Sequence, residues 1–171
     1  MNELIPQEMV EKRIFLIRSQ KVMIDRDLAE LYGVETKYLN RQVKNNIGRF
    51  PKEFMFRLTV KEKNELVTFC HRFETMKHSV SLPRAFTEHG VAMLASVLNN
   101  ERAIKISIVI MKTFIKLREI LSAHKELAHK LNELEKKVEG HDVEIQNIFQ
   151  AIRQLMAPPP EPPKRRIGFH P

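Results

Sequence analysis

From Leu117 onward, apolar residues recur at alternating spacings of three and four. Leu117, His124, Leu131, Val138, Ile145 and Ile152 form one set of positions, and Ile120, Leu127, Leu134, His141, Ile148 and Leu155 form the other. All but the two histidines are aliphatic. A 3.5-residue period held this long commits the segment to a helix whose stripe must lie against another helix. An unbroken helix over 117–156 would be roughly 58 Å long, at about 1.5 Å per residue. Val138, Ile145 and Ile152 at the first seam position favour a parallel pair of strands, in which Lys130 faces Glu135 of a partner and Lys137 faces Asp142. The seam residues Leu127, Leu131, Leu134, Val138, Ile145, Ile148, Ile152 and Leu155 are therefore expected to hold a homodimer through a coiled coil. The competing arrangement is a helical hairpin folded back on its own domain. Gly140 costs up to about 1 kcal/mol in a helix interior and marks a possible bend. His124 and His141 are polar seam residues that set register, and protonation below about pH 6.5 would loosen the pairing.

The chain has 171 residues, so one small domain of about 10–121 precedes this stalk, and a Pro-rich basic tail, 157–171, follows it. The tail, with six of the nine prolines, five of them in APPPEPP at 157–163, reads as an extended, disordered spacer ending in KRRIGFHP. A single cysteine, Cys70, excludes internal disulfides and four-cysteine zinc sites, and suits a reducing, cytoplasmic setting. No apolar run approaches the roughly 20 residues that span a bilayer, and MNELIPQEMVEKR lacks a signal peptide's apolar stretch, so no membrane partner is expected. The formal net charge is +8. Much of it gathers in 36–61, where Lys37, Arg41, Lys44, Arg49, Lys52, Arg57 and Lys61 stand against Glu53 alone, a net of +6. Such a window is either a solvated face or a phosphate footprint.

Local signals give an α+β module. Ile14–Arg18 and Val22–Ile24 read as a short β-hairpin. Asp25 is placed to cap a helix over Arg26–Tyr32, which Gly33 stops, and Thr36 to cap a second through about Asn46. Gly48 and Pro51 break that helix, and a strand follows at Phe54–Leu58. Thr59 caps a helix over Val60–Phe69, 70–81 reads as a loop, and 82–86 as a strand. Thr87 caps a helix near Glu88–Leu98. From Asn100 the chain is helical, with Ile104, Ile108, Met111, Ile115 and Leu117 expected to pack its first stretch onto the domain.

The segment Asp25–Asn46 has the layout of a helix-turn-helix: small Ala29 at the crossing, Gly33 at a left-handed turn, and Val34 and Leu39 between the helices. With Leu39 and Val43 inward, Lys37, Arg41 and Lys44 point out, flanked by Thr36, Tyr38, Asn40 and Gln42. Arginine can fork to guanine, Asn or Gln can pair with adenine, and Lys or Tyr can hold phosphates. Thr36, Lys37, Tyr38, Asn40, Arg41, Gln42 and Lys44 are thus the candidate contacts to double-stranded DNA, with Lys52 on its backbone.

Residues 14–58, IFLIRSQKVMIDRDLAELYGVETKYLNRQVKNNIGRFPKEFMFRL, resemble the phage and prophage ORF-six-N domain, related to the KilA-N domains of viral and phage regulators. The block FTEHGVAMLASVLNNERAIKISIVIMKTFIKLREIL, 86–121, also fits that pattern, and the resemblance covers roughly 10–121. It implies a small α+β DNA-binding module in transcriptional or antirepressor proteins.

Catalytic and metal chemistry find less in this sequence. Cys70, His71, His78 and His89 lack paired Cys/His spacing, so no metal or other cofactor is expected. Thr87-Glu88-His89-Gly90 is explained by a helix cap with an acidic first turn. No P-loop, nucleophile elbow or dinucleotide fingerprint is present, so the chain is not expected to be an enzyme. The reading is a DNA-binding transcriptional regulator of phage or prophage type. The alternative is an antirepressor-type interaction protein that binds another phage or host regulator.

Overall fold

The computed structural model describes residues 5–138 and 143–157. Elements run α1 (Gln7–Glu11), β1 (Ile14–Ile17), β2 (Gln20–Ile24), α2 (Asp25–Tyr32), α3 (Thr36–Asn45), β3 (Met55–Arg57), α4 (Val60–Phe69), β4 (Arg84–Thr87), α5 (Glu88–Leu98), α6 (Glu101–Val138) and α7 (Val143–Met156). Short 3-10 segments lie at Ile47–Arg49 and His71–Met76. The fold class is α+β, as expected. The chain divides into two compact units, Met1–Lys116 and Leu117–Pro171.

In the first unit the four strands form an antiparallel sheet in the order β1-β2-β4-β3. Alternation along β2 separates two cores. Met23 faces a cluster with Leu28, Tyr32, Leu39, Val43, Phe86, Leu94 and Ile110, contributed largely by α2, α3, α5 and α6. Val22 and Ile24 face the other side, with Leu58, Leu66, Phe73 and Ala85. All three β2 residues have no exposed surface. Each buried aliphatic side chain of this kind contributes about 1.5–3 kcal/mol, so the sheet is held from both faces.

Several local expectations match the structure. Gly33 ends α2 in the left-handed region at φ 69°. Thr59 caps α4 in a reciprocal box with Glu62, and the Thr87 hydroxyl accepts from the Gly90 N–H of α5. Two caps differ. Asp25 is the first residue of α2, and its carboxylate accepts from the Arg26 N–H and from Asn40 rather than capping the second or third amide. Thr36 is the first residue of α3; the cap is Glu35, without a side-chain bond. In both cases tertiary packing of the helix sets where it starts.

The segment 70–81 is more ordered than a loop. The 3-10 helix His71–Met76 buries Phe73 completely, with its ring 5.8 Å from that of Phe15. Arg72 anchors it to buried Asp27 through two hydrogen bonds of 3.0 and 2.9 Å.

The buried face of α6 is also different. Ala103, Ile106, Ser107, Ile110, Thr113 and Phe114 are buried, whereas Ile104, Ile108 and Ile115 are about half exposed and Met111 is partly buried. Small Ala103 permits close approach, and Ser107 meets the buried Tyr32 hydroxyl at 2.9 Å. Those contacts rotate the helix away from the face chosen by bulk alone.

In the second unit the helical stalk is not one unbroken helix. α6 ends at Val138 and α7 starts at Val143. The Arg153 guanidinium on α7 hydrogen-bonds Asn132 Oδ1 at 2.6 Å and pairs with Glu135 on α6, so α7 runs back along α6 as an antiparallel hairpin. The stripe is covered only in part by this neighbour: Leu131 is half-buried, while Leu127, Leu134 and Ile148 stay more than half exposed. Lys130 consequently pairs with Glu126 one turn earlier, at 2.8 Å, while Glu135 is taken by Arg153. Gly140, His141, Asp142 and the tail from 158 lie outside the described residues. Among the described residues no helix is long and apolar enough to cross a membrane.

Candidate nucleic-acid interface

The sequence of α3 sorts itself by helical angle. Leu39 and Val43, one turn apart, are fully buried against α2 and the sheet. Lys37, Arg41 and Lys44, spaced by four and three, fall on the opposite face and are exposed. Lys52, beyond the helix end, is exposed too. Arg41 lies 5.5 Å from the Tyr38 ring centroid, a cation–π approach that restrains the guanidinium.

The flanking candidates are not equivalent to these. Thr36, Tyr38 and Gln42 are half-buried, and Tyr38 packs against the core. Asn40 is committed elsewhere: its amide donates to Asp25 Oδ2 at 2.8 Å, and its own Oδ1 is buried without a hydrogen-bond partner. It works as a bolt between α3 and α2, so its amide is engaged within the domain. Burial pushes the Asp25 carboxyl above its ordinary value, against the opposing effect of Asn40 and the Arg84 and Arg26 N–H groups.

Gly33 is required at the turn, where a Cβ would sit 3.0 Å from the Arg102 guanidinium. The turn is stitched by Val34 N–H to Ala29 O at 3.0 Å. Tyr32, sealed in the core, is pushed up to about 12 by burial. Asp27 is raised by burial, partly offset by Arg72 and Arg13.

Of the histidine and cysteine candidates, Cys70 packs against the smaller core and His71 is exposed beside Glu74. His89 stacks on Phe54 at 5.6 Å, and Gly90 is the close-approach point of α5 to the Phe54 carbonyl.

On the stalk, Leu127, Leu134, Ile148 and Leu155 are exposed by 53, 52, 59 and 87%. Leu131 is half-buried, while Ile145 and Ile152 are exposed by 37 and 36%. The side chain of Val138 is outside the described residues. The two seam sets thus divide, one more covered by the hairpin and the other open.

Sequence reasoning missed Arg18 and Gln20, and that they share a cleft with Lys52 and Arg57. The available signal was Arg-Ser at a two-residue hairpin turn, where Asn-Gly is the easy choice.

These features define a small α+β module that carries a basic, solvent-facing helix on a doubly packed sheet. The chain belongs to the ORF6N domain family, whose model matches residues 12–97, half of its length. No curated protein and no solved structure matches it.

Proposed function

We propose that the protein is a DNA-binding transcriptional regulator of phage or prophage type, a binding protein rather than an enzyme. Its α2–α3 pair serves as a helix-turn-helix, with α3 in the major groove. The observation that carries this reading is the sorting of α3: Lys37, Arg41 and Lys44 exposed on one face, Leu39 and Val43 fully buried on the other. Arg41 is the residue suited to fork onto a guanine, while Lys37, Lys44 and Lys52 neutralise phosphates. The ORF6N assignment supports a regulatory role of this kind.

Dimerisation lets two such domains grip two half-sites at once, which raises affinity through effective concentration. Two hairpins packed on the open seam of Leu127, Leu134, Ile148 and Leu155 would make an antiparallel four-helix bundle. Light scattering on the full chain is expected to give a dimer mass, and Leu127→Glu with Leu134→Glu a monomer; a monomeric wild type removes this part of the proposal.

The DNA test is fluorescence anisotropy on a captured genomic site across a salt series. Log affinity should fall steeply with log salt, and Arg41→Ala should cost about 1–3 kcal/mol and relax sequence preference. Binding that ignores both salt and Arg41→Ala would falsify the groove reading.

A second reading is favoured by one observation. The half-exposed Ile104, Ile108 and Ile115 on α6 form an apolar line suited to a protein partner, as in an antirepressor. Capture of a repressor without DNA, lost in Ile108→Asp, would support it.

A further inference from the structure

The turn between β1 and β2 is built from Arg18 and Ser19, both at positive φ, 53° and 61°. Side chains with a Cβ pay a steric cost in this region, and no glycine is used to avoid it. What the turn achieves is the placement of one guanidinium. Arg18 gives hydrogen bonds of 2.7 and 2.9 Å to the two Glu62 oxygens and one of 3.3 Å to the Arg57 carbonyl, and it lies 4.4 Å over the Phe56 ring.

Beside it opens a cleft of about 550 Å³ lined by Arg18, Gln20, Lys52, Met55, Phe56 and Arg57. Three of these six residues are cations. Arg18 is already matched by Glu62, but among the described residues no carboxylate forms a salt bridge with Lys52 or Arg57. Arg57 also sits directly opposite Arg84 in the β3–β4 register. Like charges at such positions repel. Burial first, and then Arg57, hold the Arg84 guanidinium below its ordinary value, against the opposing effect of Asp25. An anion in the cleft would relieve that repulsion.

We propose that this cleft is a phosphate site, taking a phosphodiester group of the DNA backbone alongside the duplex held by α3. Lys52 and Arg57 supply the uncompensated charge, Gln20 supplies a neutral hydrogen-bond donor, and Arg18 is a rigid wall fixed by Glu62. The source of the phosphate rests on the DNA reading above; the chemistry of the cleft does not. Because the contact is to backbone, it adds affinity without sequence preference.

The test uses Arg57→Gln in the full chain, since Arg57 takes no part in the groove reading. On a labelled duplex, affinity should fall about three- to tenfold, equally for preferred and mixed sequence, and the log–log salt slope should become shallower by about one. Arg57→Lys should restore most of the loss. If Arg57→Gln binds with wild-type affinity and slope while Arg41→Ala is impaired, the cleft proposal is overturned and the groove reading stands. If the wild type binds no duplex at all, the groove reading fails, and a titration of the 15N-labelled chain with inorganic pyrophosphate decides the cleft. Shifts gathered at Arg18, Gln20 and Arg57 and lost in Arg57→Gln would assign it to a free phosphate ligand; no shift there would overturn it. Should Arg57→Gln lower the melting temperature, Gln20→Glu, which sets a carboxylate in the cleft at a residue outside the groove reading, carries the same affinity measurement with the same expected fall.

Discussion

The Asn40 amide donates a 2.8 Å hydrogen bond to Asp25 Oδ2, tying the middle of α3 to the first residue of α2. The Asp25 carboxylate is buried, 4% exposed, so this bond lies out of competition with water. Removing one partner of such a bond strands the other, at about 1–3 kcal/mol. Asn40→Ala is therefore expected to lower the unfolding free energy by that amount in a urea titration. Arg41→Ala, one residue on and exposed, should leave it nearly unchanged. Equal stability of the two variants would show that the Asn40–Asp25 bond does not hold α3 to α2.

The same carboxyl gives a pH signature. Burial holds Asp25 above its ordinary value of 3.8, so the folded chain binds this proton more tightly than the unfolded one. The stability it contributes is complete below that ordinary value and is lost as pH rises through the folded value. Asp25→Asn removes the titration. The stability difference between variant and wild type should move in the variant's favour as pH climbs from about 3 to about 7. A difference that stays constant over that range would show that Asp25 is not perturbed.

Glu62 behaves in the opposite sense. The Arg18 hydrogen bonds, helped by the Thr59 N–H at 2.7 Å, hold its carboxyl down to about 2. Its contribution is present above the ordinary value of 4.5 and is lost as pH falls towards 2. The Arg18 side chain is 45% exposed, so screening leaves a modest effect, and Glu62→Gln should cost about 1 kcal/mol near neutrality. Acid titration followed by circular dichroism should show a loss between those pH values in the wild type that the variant lacks.

Two glycines separate strain from collision. A Cβ at Gly33 would meet only the flexible Arg102 guanidinium at 3.0 Å, so Gly33→Ala pays chiefly for its positive φ, about 1–2 kcal/mol. A Cβ at Gly90 would lie 2.0 Å from the Phe54 carbonyl oxygen, which is backbone. Gly90→Ala must push α5 off the Phe54 backbone just before β3 and should cost well over about 3 kcal/mol, measured as a collapse in melting temperature. Similar losses from the two substitutions would contradict the packing described.

Much of the local structure was legible because its causes are local. The caps at Thr59 and Thr87, the stop at Gly33 and the inward pair Leu39 and Val43 follow from spacing and side-chain chemistry within a few residues. Bulk alone misled on α6, where Ile104, Ile108 and Ile115 outrank Ala103 and Ser107 in apolar area but not in how closely they let the helix approach. The tie of Asn40 to Asp25 was not legible for a related reason: its type suits a base edge, and its partner is 15 residues away.

By itself the sequence determined the periodic and the terminal: two short helices meeting at Gly33, a heptad stripe in need of a helical neighbour, and a basic window at 36–61. Only the tertiary structure decided which neighbour and which charges act together. It folded α7 back on α6 through Arg153, Asn132 and Glu135, and it closed Arg18, Gln20 and Arg57 around Lys52 in one cleft. Helical periodicity records that a face must be covered but carries no label for what covers it. Charges far apart along the chain become one site only when strand pairing brings them within Coulombic reach.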